Sequence, residues 1–263
     1  MDDIRFNKLI GQFNLSWKGY RKVRKGVKKR LRRHMQSLGC VDIDEYINTI
    51  NGNPEEKTEC KRLLTVPITR FYRDRKLWEV LEYDLLPAMV LGREDPFRVW
   101  SAGCSGGEEA YTFAIIWHCL AGAGRMMPDL EILATDMNPE CLSRAKRGLY
   151  SVSSLKEVSD DIRQRFFIKT KKQFQVVKDL RTMVRWEQRN LFDTPSEVGF
   201  DIIFLRNNLL TYYQEPDKSE GFNRVVSSLK KGGVLVIGSH EPLPEAGSGF
   251  IRNKAHPLVL MLS

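Results

Sequence analysis

No stretch of the 263 residues approaches the ~18 consecutive apolar residues that a membrane-crossing helix needs, which excludes a helical integral membrane protein. The amino terminus, Met1-Asp2-Asp3-Ile4-Arg5, has no apolar core behind a basic flank and does not read as a secretory signal. Cysteine is sparse: Cys40, Cys60, Cys104, Cys119 and Cys141 are odd in number, scattered and never spaced CxxC. That pattern argues against a disulfide framework and a structural zinc site, calls for no metal, and suits a reducing cytoplasm. The histidines, His34, His118, His240 and His256, stand isolated, and each reads as structural or surface rather than as a catalytic base. Glycine never spells GxGxxG, so a nicotinamide oxidoreductase lacks its fingerprint. There is no internal repeat and no low-complexity tract.

Acid is missing from one region. Between Lys18 and Arg33 lie Lys18, Arg21, Lys22, Arg24, Lys25, Lys28, Lys29, Arg30, Arg32 and Arg33 without a single Asp or Glu. The whole chain carries 42 Lys+Arg against 33 Asp+Glu, a net charge of +9. Such a field is either a solvated helix face or a surface for an anionic partner: nucleic acid, a membrane surface or an acidic protein. Only Trp17 and Tyr20 flank the run, which leaves no aromatic platform for stacking bases and disfavours nucleic acid.

What is present is a folded, soluble composition, 42% hydrophobic and 29% charged, long enough for one large domain or one domain with a small helper. Within the basic run Tyr20, Val23, Val27, Leu31 and Leu38 recur at helical spacing, predicting one apolar stripe on a helix that Gly39 stops. A second helix is expected from Asp42 through Ile50, with Ile43, Tyr46, Ile47 and Ile50 inward. Asn51-Gly52-Asn53-Pro54 then breaks the chain before a third at about 55–64. Residues 1–70 therefore read as a small all-helical domain, and residues 71–263 as a second one.

From Phe97 onward strands alternate with helices, the signature of an α/β fold with a parallel sheet. Strands are expected at Phe97–Ala102, Glu131–Thr135, Asp201–Leu205 and Val234–Ile237. Helices are expected from Glu108, from Pro139 to Arg147, and from Ser219 to Leu229, with a turn at Lys230-Lys231-Gly232-Gly233. Residues from about 166 to 188 break this rhythm and read as a short antiparallel β insertion, its strands at 174–177 and 183–186.

A ligand of such a sheet sits beyond the carboxyl ends of its strands. The loop Ala102-Gly103-Cys104-Ser105-Gly106-Gly107 lies there and would let a ligand approach the backbone closely. The pair Glu108-Glu109 at the following helix start would repel a pyrophosphate and favour a cationic head, such as the sulfonium and ammonium of S-adenosylmethionine. Asp136, ending the second strand, is placed to accept from two ribose hydroxyls or to cap the helix before Asn138-Pro139. Asn190-Leu191 would read an adenine edge through a side-chain amide and a backbone N–H.

Four segments carry a family resemblance: Thr69-Arg70-Phe71-Tyr72-Arg73-Asp74, Val99 through Glu109 (VWSAGCSGGEE), Ala134-Thr135-Asp136-Met137-Asn138 and Ile203-Phe204-Leu205-Arg206-Asn207. Together they resemble the signature blocks of CheR-type chemoreceptor methyltransferases, which move a methyl group from S-adenosylmethionine to receptor glutamates. The resemblance runs from about residue 5 to Pro244. It implies a Rossmann-like methyltransferase sheet, and it makes Thr69, Arg73, Glu109, Asp136, Asn190, Leu191, Arg206 and Asn207 cofactor-binding positions. It also implies an acidic helical receptor region as partner of the basic helix, through Arg21, Arg24, Lys28 and Arg32.

The chain departs from the family in four places. The tyrosine five residues after the arginine of the last block, near the transferable methyl, is Thr211, with Tyr212 one residue late and expected to point about 100° away. Arg73 and Thr211 thus occupy the implied catalytic positions, Arg73 as the cation that holds the acceptor's or the donor's carboxylate. The family's asparagine two residues before Thr69 is Pro67, and its H-S-E-x-L stretch reads Ser239-His240-Glu241-Pro242-Leu243. The segment 167–176 has no glycine, so a divergent member independent of a receptor's carboxyl-terminal pentapeptide is expected. Two other classes compete: a cofactor-binding regulator without transfer, and a methyltransferase for nucleic acid or a small molecule.

Overall fold

The computed structural model describes residues 1–66 and 69–263. Five helices come first: α1 (Asp3–Gly11), α2 (Trp17–Tyr20), α3 (Arg24–Ser37), α4 (Ile43–Gly52) and α5 (Pro54–Leu64). Their ends are chemically marked. The Asp42 carboxylate accepts from the N–H groups of Asp44 and Glu45, and Asn53 accepts from those of Glu55 and Glu56 ahead of a first-turn proline. Phe6, Leu9, Ile10, Tyr20, Val27, Leu31, Tyr46, Ile50, Cys60 and Leu64 pack into one apolar cluster that belongs to these helices. Each large apolar side chain buried there contributes about 1.5–3 kcal/mol.

The basic run is not one helix. It breaks at residues 21–23, because α2 is pinned on both sides: Tyr20 Oη donates to the Leu64 carbonyl at 3.0 Å, and the Ser16 N–H donates to the Tyr212 carbonyl at 2.7 Å. Helical spacing survives across the break, which is why the sequence does not reveal it.

Helices α6 (Arg75–Val80) and α7 (Leu86–Val90), joined by a π-turn at Leu81–Leu85, lead into the sheet domain. Its strands are β1 (Phe97–Ala102), β2 (Leu130–Asp136), β3 (Leu149–Tyr150), β4 (Phe167–Lys169), β5 (Phe174–Val176), β6 (Val184–Gln188), β7 (Phe200–Leu205), β8 (Leu229–Ile237), β9 (Phe250–Arg252) and β10 (Val259–Leu262). The main sheet has the order β6-β2-β1-β7-β8-β10-β9. Its first five strands run parallel, and β10 and β9 add antiparallel at one edge. Helices α8 (Glu108–Gly122), α9 (Pro139–Arg147), α10 (Asp160–Phe166), α11 (Lys178–Thr182), α12 (Leu209–Tyr212) and α13 (Asp217–Val226) complete it. Apolar clusters lie on both faces: Phe113, Ile116, Ile132 and Phe204 on one, Trp100, Leu133, Ile203 and Phe222 on the other. The strand order reverses between β1 and β7, and this switch point is where a doubly wound sheet opens its crevice.

The insertion differs from its expected span of 166–188. The small sheet is β3-β5-β4, all antiparallel, and residues 178–182 form α11. Val184–Gln188 belongs to the main sheet, paired parallel to β2 from Ile132↔Val184 to Asp136↔Gln188. A short strand reads the same whether its partner is parallel or antiparallel, so sequence alone misassigns it. Leu229 likewise joins β8 rather than ending the preceding helix, with a register shift where the turn at 230–233 was expected.

Candidate active site

A cavity of about 670 Å³ opens at the carboxyl ends of β1, β2, β6 and β7 and is roofed by the helical region. That is ample for a nucleoside-sized ligand. Thr69, Arg73, Glu109, Asp136, Asn190, Leu191, Arg206 and Asn207 all line it. Residues from four separate strand ends and one connecting segment thus converge, as their order along the chain suggested.

The loop after β1 owes its glycines to packing. Gly103 has φ +80°, and a Cβ there would lie 2.2 Å from the Asn208 amide nitrogen; Gly107, at φ +88°, would strike the Trp186 ring at 2.6 Å. The missing side chains therefore admit neighbouring protein groups, while Gly103 itself lines the cavity. Ser105, left-handed at φ +51°, turns its N–H onto Asp136 Oδ2 at 2.8 Å, and the Asn138 N–H donates to Oδ1 at 2.8 Å. Asp136 is held from behind, and the helix cap is Asn138, whose side chain accepts from Glu140. Burial raises the Asp136 carboxyl above its ordinary range, with the two N–H donors opposing.

The Glu108-Glu109 pair splits. Glu108 is fully buried, away from the cavity, in an ion pair with Arg144 at 2.5 Å, and burial raises its carboxyl. Only Glu109 reaches the cavity. It accepts from Ser101 Oγ at 2.7 Å and from Arg206 at 3.1 Å. Arg206, whose side chain is 3% exposed, bridges Glu109 and Asp74 and lies over the Trp78 ring. Arg73 donates to Asn207 Oδ1 at 3.0 Å. Asn207 sits at φ +57°, in the left-handed region that asparagine tolerates better than most residues. Glu241, a buried carboxylate, holds this turn by accepting from the Asn207 N–H at 3.0 Å, from the Gly238 N–H and from Thr211 Oγ1. Burial raises its carboxyl as well. Glu241 carries no sequence signal beyond its place in the late motif.

Thr211 is not among the cavity-lining residues; its hydroxyl serves Glu241. Tyr212 lines the cavity instead, its ring 4.9 Å from Tyr20 and its phenol pushed up to about 12 by burial, with the Arg73 charge drawing it back. Thr211 and Tyr212, adjacent on the one-turn helix α12, thus face different partners, and it is Tyr212 that faces the cavity. Pro67 lies outside the described residues.

Asn190 and Leu191 follow edge strand β6. The Asn190 carboxamide oxygen accepts from the Phe192 N–H at 3.1 Å, which fixes the amide. Among the described residues neither Asn190 Nδ2 nor the Leu191 N–H donates a hydrogen bond, so two oriented donors remain for a ligand.

The model of the CheR methyltransferase SAM-binding domain matches residues 68–257. The chain belongs to the CheR methyltransferase family. Its relatives include a chemotaxis protein methyltransferase of Listeria innocua, 30% identical over 217 residues, covering 82% of this chain and 81% of that one. One from Salmonella typhimurium is 32% identical over 224 residues, covering 82% and 75%. Chemotaxis protein methyltransferase 2 of Pseudomonas aeruginosa is 29% identical over 221 residues, covering 82% and 77%. The cofactor of this CheR-family chain is S-adenosylmethionine. The donor set fits it: an ionisable acid beside a strand end for a ribose diol, and unused amide donors at the next strand end for a base edge.

Proposed function

We propose that this CheR-family methyltransferase esterifies glutamate side chains of a chemoreceptor-type protein in the cytoplasm. S-adenosylmethionine supplies a methyl group already activated on a sulfonium. A glutamate is ionised at neutral pH, so no general base is required, and the work left to the chain is alignment and exclusion of water. Asp136 takes the ribose, Asn190 and Leu191 the adenine, and Glu109 the cationic head, with Thr69, Arg206 and Asn207 completing that wall. Arg73 holds a carboxylate at the border between the cofactor wall and the helices, where the planar fork of a guanidinium suits a two-oxygen ligand. Tyr212, beside Arg73, takes the acceptor-facing place that Thr211 leaves.

One observation carries this reading: a single cavity joins the acids of the sheet edge to Arg73 and then to cations of the helical roof. A cationic donor and an anionic acceptor therefore find opposite walls. Residues 1–70 act as the recognition module and residues 71–263 as the transferase. The basic surface of α3 steers the acidic receptor helices, but not with every base. Arg24 and Lys28 are tied to Asp3, Lys28 lies over the Phe6 ring, and Arg30 caps the carbonyls of Leu63 and Thr65. Arg21, Lys22, Lys25, Lys29, Arg32 and Arg33 are exposed and available.

The test is transfer of label from methyl-labelled S-adenosylmethionine to a purified chemoreceptor cytoplasmic fragment. Label released as methanol by mild base identifies a carboxyl ester. Label that resists base, or appears only on RNA or DNA, rejects the reading.

A further inference from the structure

Three basic side chains that line the cavity have an acid of their own. Arg206 has Asp74 and Glu109, Arg70 has Glu157, and Arg189 has Glu187. Lys57 and Lys61 of α5 do not. Both line the cavity, and among the described residues neither ammonium lies within 4.0 Å of a carboxylate. The half-buried Lys57 donates to Asn51 Oδ1 at 3.1 Å, and the exposed Lys61 sits 6.0 Å from the centroid of the Phe13 ring. None of the acids of α5 lies three or four residues from either lysine, and Glu56 and Glu59 pair instead with His34 and Arg62. Four residues apart on one helix, the two lysines share a face, about 5–6 Å apart at their Cβ atoms. The Phe13 ring gives Lys61 a cation–π seat that holds the ammonium without neutralising it.

We propose that Lys57 and Lys61 form an anion station at the cavity mouth that selects an acceptor segment carrying a second carboxylate near the one to be methylated. The inference rests on the reading that the acceptor is a protein glutamate, and it adds a specificity determinant distinct from the α3 surface. Arg73 addresses one carboxylate. Two further cations at the mouth call for another, and on a helical acceptor an acid three or four positions from the target is the neighbour on the same face. A lone glutamate among neutral residues would leave both lysines without a counter-charge, so the station discriminates by the acceptor's flanking residues.

The experiment uses the full chain, a Lys57→Gln/Lys61→Gln double variant, and two helical peptides. One peptide carries glutamates at i, i+4 spacing; in the other the flanking glutamates are replaced by glutamine. Calorimetry on protein loaded with S-adenosylhomocysteine gives peptide affinity without relying on turnover. For the wild type, the glutamate-rich peptide should bind about tenfold more tightly than the glutamine-flanked one. The double variant should lose that preference, keep the same S-adenosylhomocysteine affinity, and raise KM for a receptor fragment with kcat little changed. Unchanged peptide preference in the double variant overturns the station, and so does a parallel loss of S-adenosylhomocysteine affinity, which would put the lysines on the cofactor side. A wild type that binds the acidic peptide through these lysines yet methylates no receptor fragment would retain the station and reject the glutamate-transferase reading.

Discussion

The sheet-borne wall of the cavity and its helical roof treat their charges in opposite ways. On the sheet side Asp136 is gripped by two backbone N–H groups, Glu109 by Ser101 and Arg206, and Arg206 by two acids. On the roof, among the described residues, Lys57 meets an amide oxygen and Lys61 an aromatic ring, and neither meets a carboxylate. A wall whose charges are already aimed costs little reorganisation when its ligand arrives, which suits a cofactor bound at every turnover. A wall with uncompensated cations suits a partner that comes from solution and brings its own counter-charge. The difference separates fixed chemistry from exchangeable recognition within one cavity.

The sharpest way to break this comparison is to remove one charge from each wall. Arg206→Ala leaves two acids facing each other without their cation, and a loss of about 3–5 kcal/mol is expected in denaturant unfolding. Lys61→Ala at the roof should change stability by less than about 0.5 kcal/mol. Equal effects would mean that the walls do not differ. Arg73→Ala comes next: transfer should fall by at least about a hundredfold with the fold intact, and Arg73→Lys should restore only part of it. Titrating S-adenosylhomocysteine into the same Arg73→Ala variant sharpens the result. Unchanged affinity assigns the guanidinium to the acceptor, and a parallel loss assigns it to the donor's carboxylate.

Asp136 offers a smaller, pH-dependent effect. Burial raises its folded-state pKa, so on acidification it takes up a proton before an exposed carboxylate would and stops accepting from ribose hydroxyls. S-adenosylhomocysteine affinity should therefore decline as the pH falls from neutrality toward the ordinary carboxylate range, while Asp136→Asn shows weaker binding without that slope. Stability runs the other way. The folded protein binds this proton more tightly than the unfolded chain, so its contribution is greatest below the unfolded pKa and is lost as the pH rises through the raised one. The smallest effect belongs to the basic surface. Lys25→Glu/Lys29→Glu/Arg32→Glu should raise the KM for receptor several-fold at low salt and little at high salt, where screening shortens the reach of surface charge. A salt-independent change would point to misfolding instead.

How much of this was legible depended on whether a feature is local. Strand Phe97–Ala102, helix Pro139–Arg147 and the inward set Ile43, Tyr46, Ile47 and Ile50 follow from periodicity and caps, and the structure has them at those positions. The convergence of Asp136, Glu109, Asn190 and Arg206 was legible because a parallel sheet brings successive strand ends to one edge. Long-range pairing was not legible. Val184–Gln188 looks like half of a hairpin until β2 claims it, and the Glu108-Glu109 pair looks like one acidic patch until Arg144 takes Glu108. That Tyr212 rather than Thr211 faces the cavity was missed because tertiary packing decides which side of a one-turn helix meets the cavity, and Glu241 because an acid that orders a loop looks like any other in sequence.

The contrast between the two walls requires the sheet edge to be the cofactor wall, and Asp136 tests that most directly. Calorimetry of S-adenosylhomocysteine with the wild type and with folded Asp136→Ala protein should show more than about a tenfold loss of affinity, some 1.4 kcal/mol. Equal affinity in the two proteins, with the variant folded, would place the cofactor elsewhere and contradict the assignment of both walls.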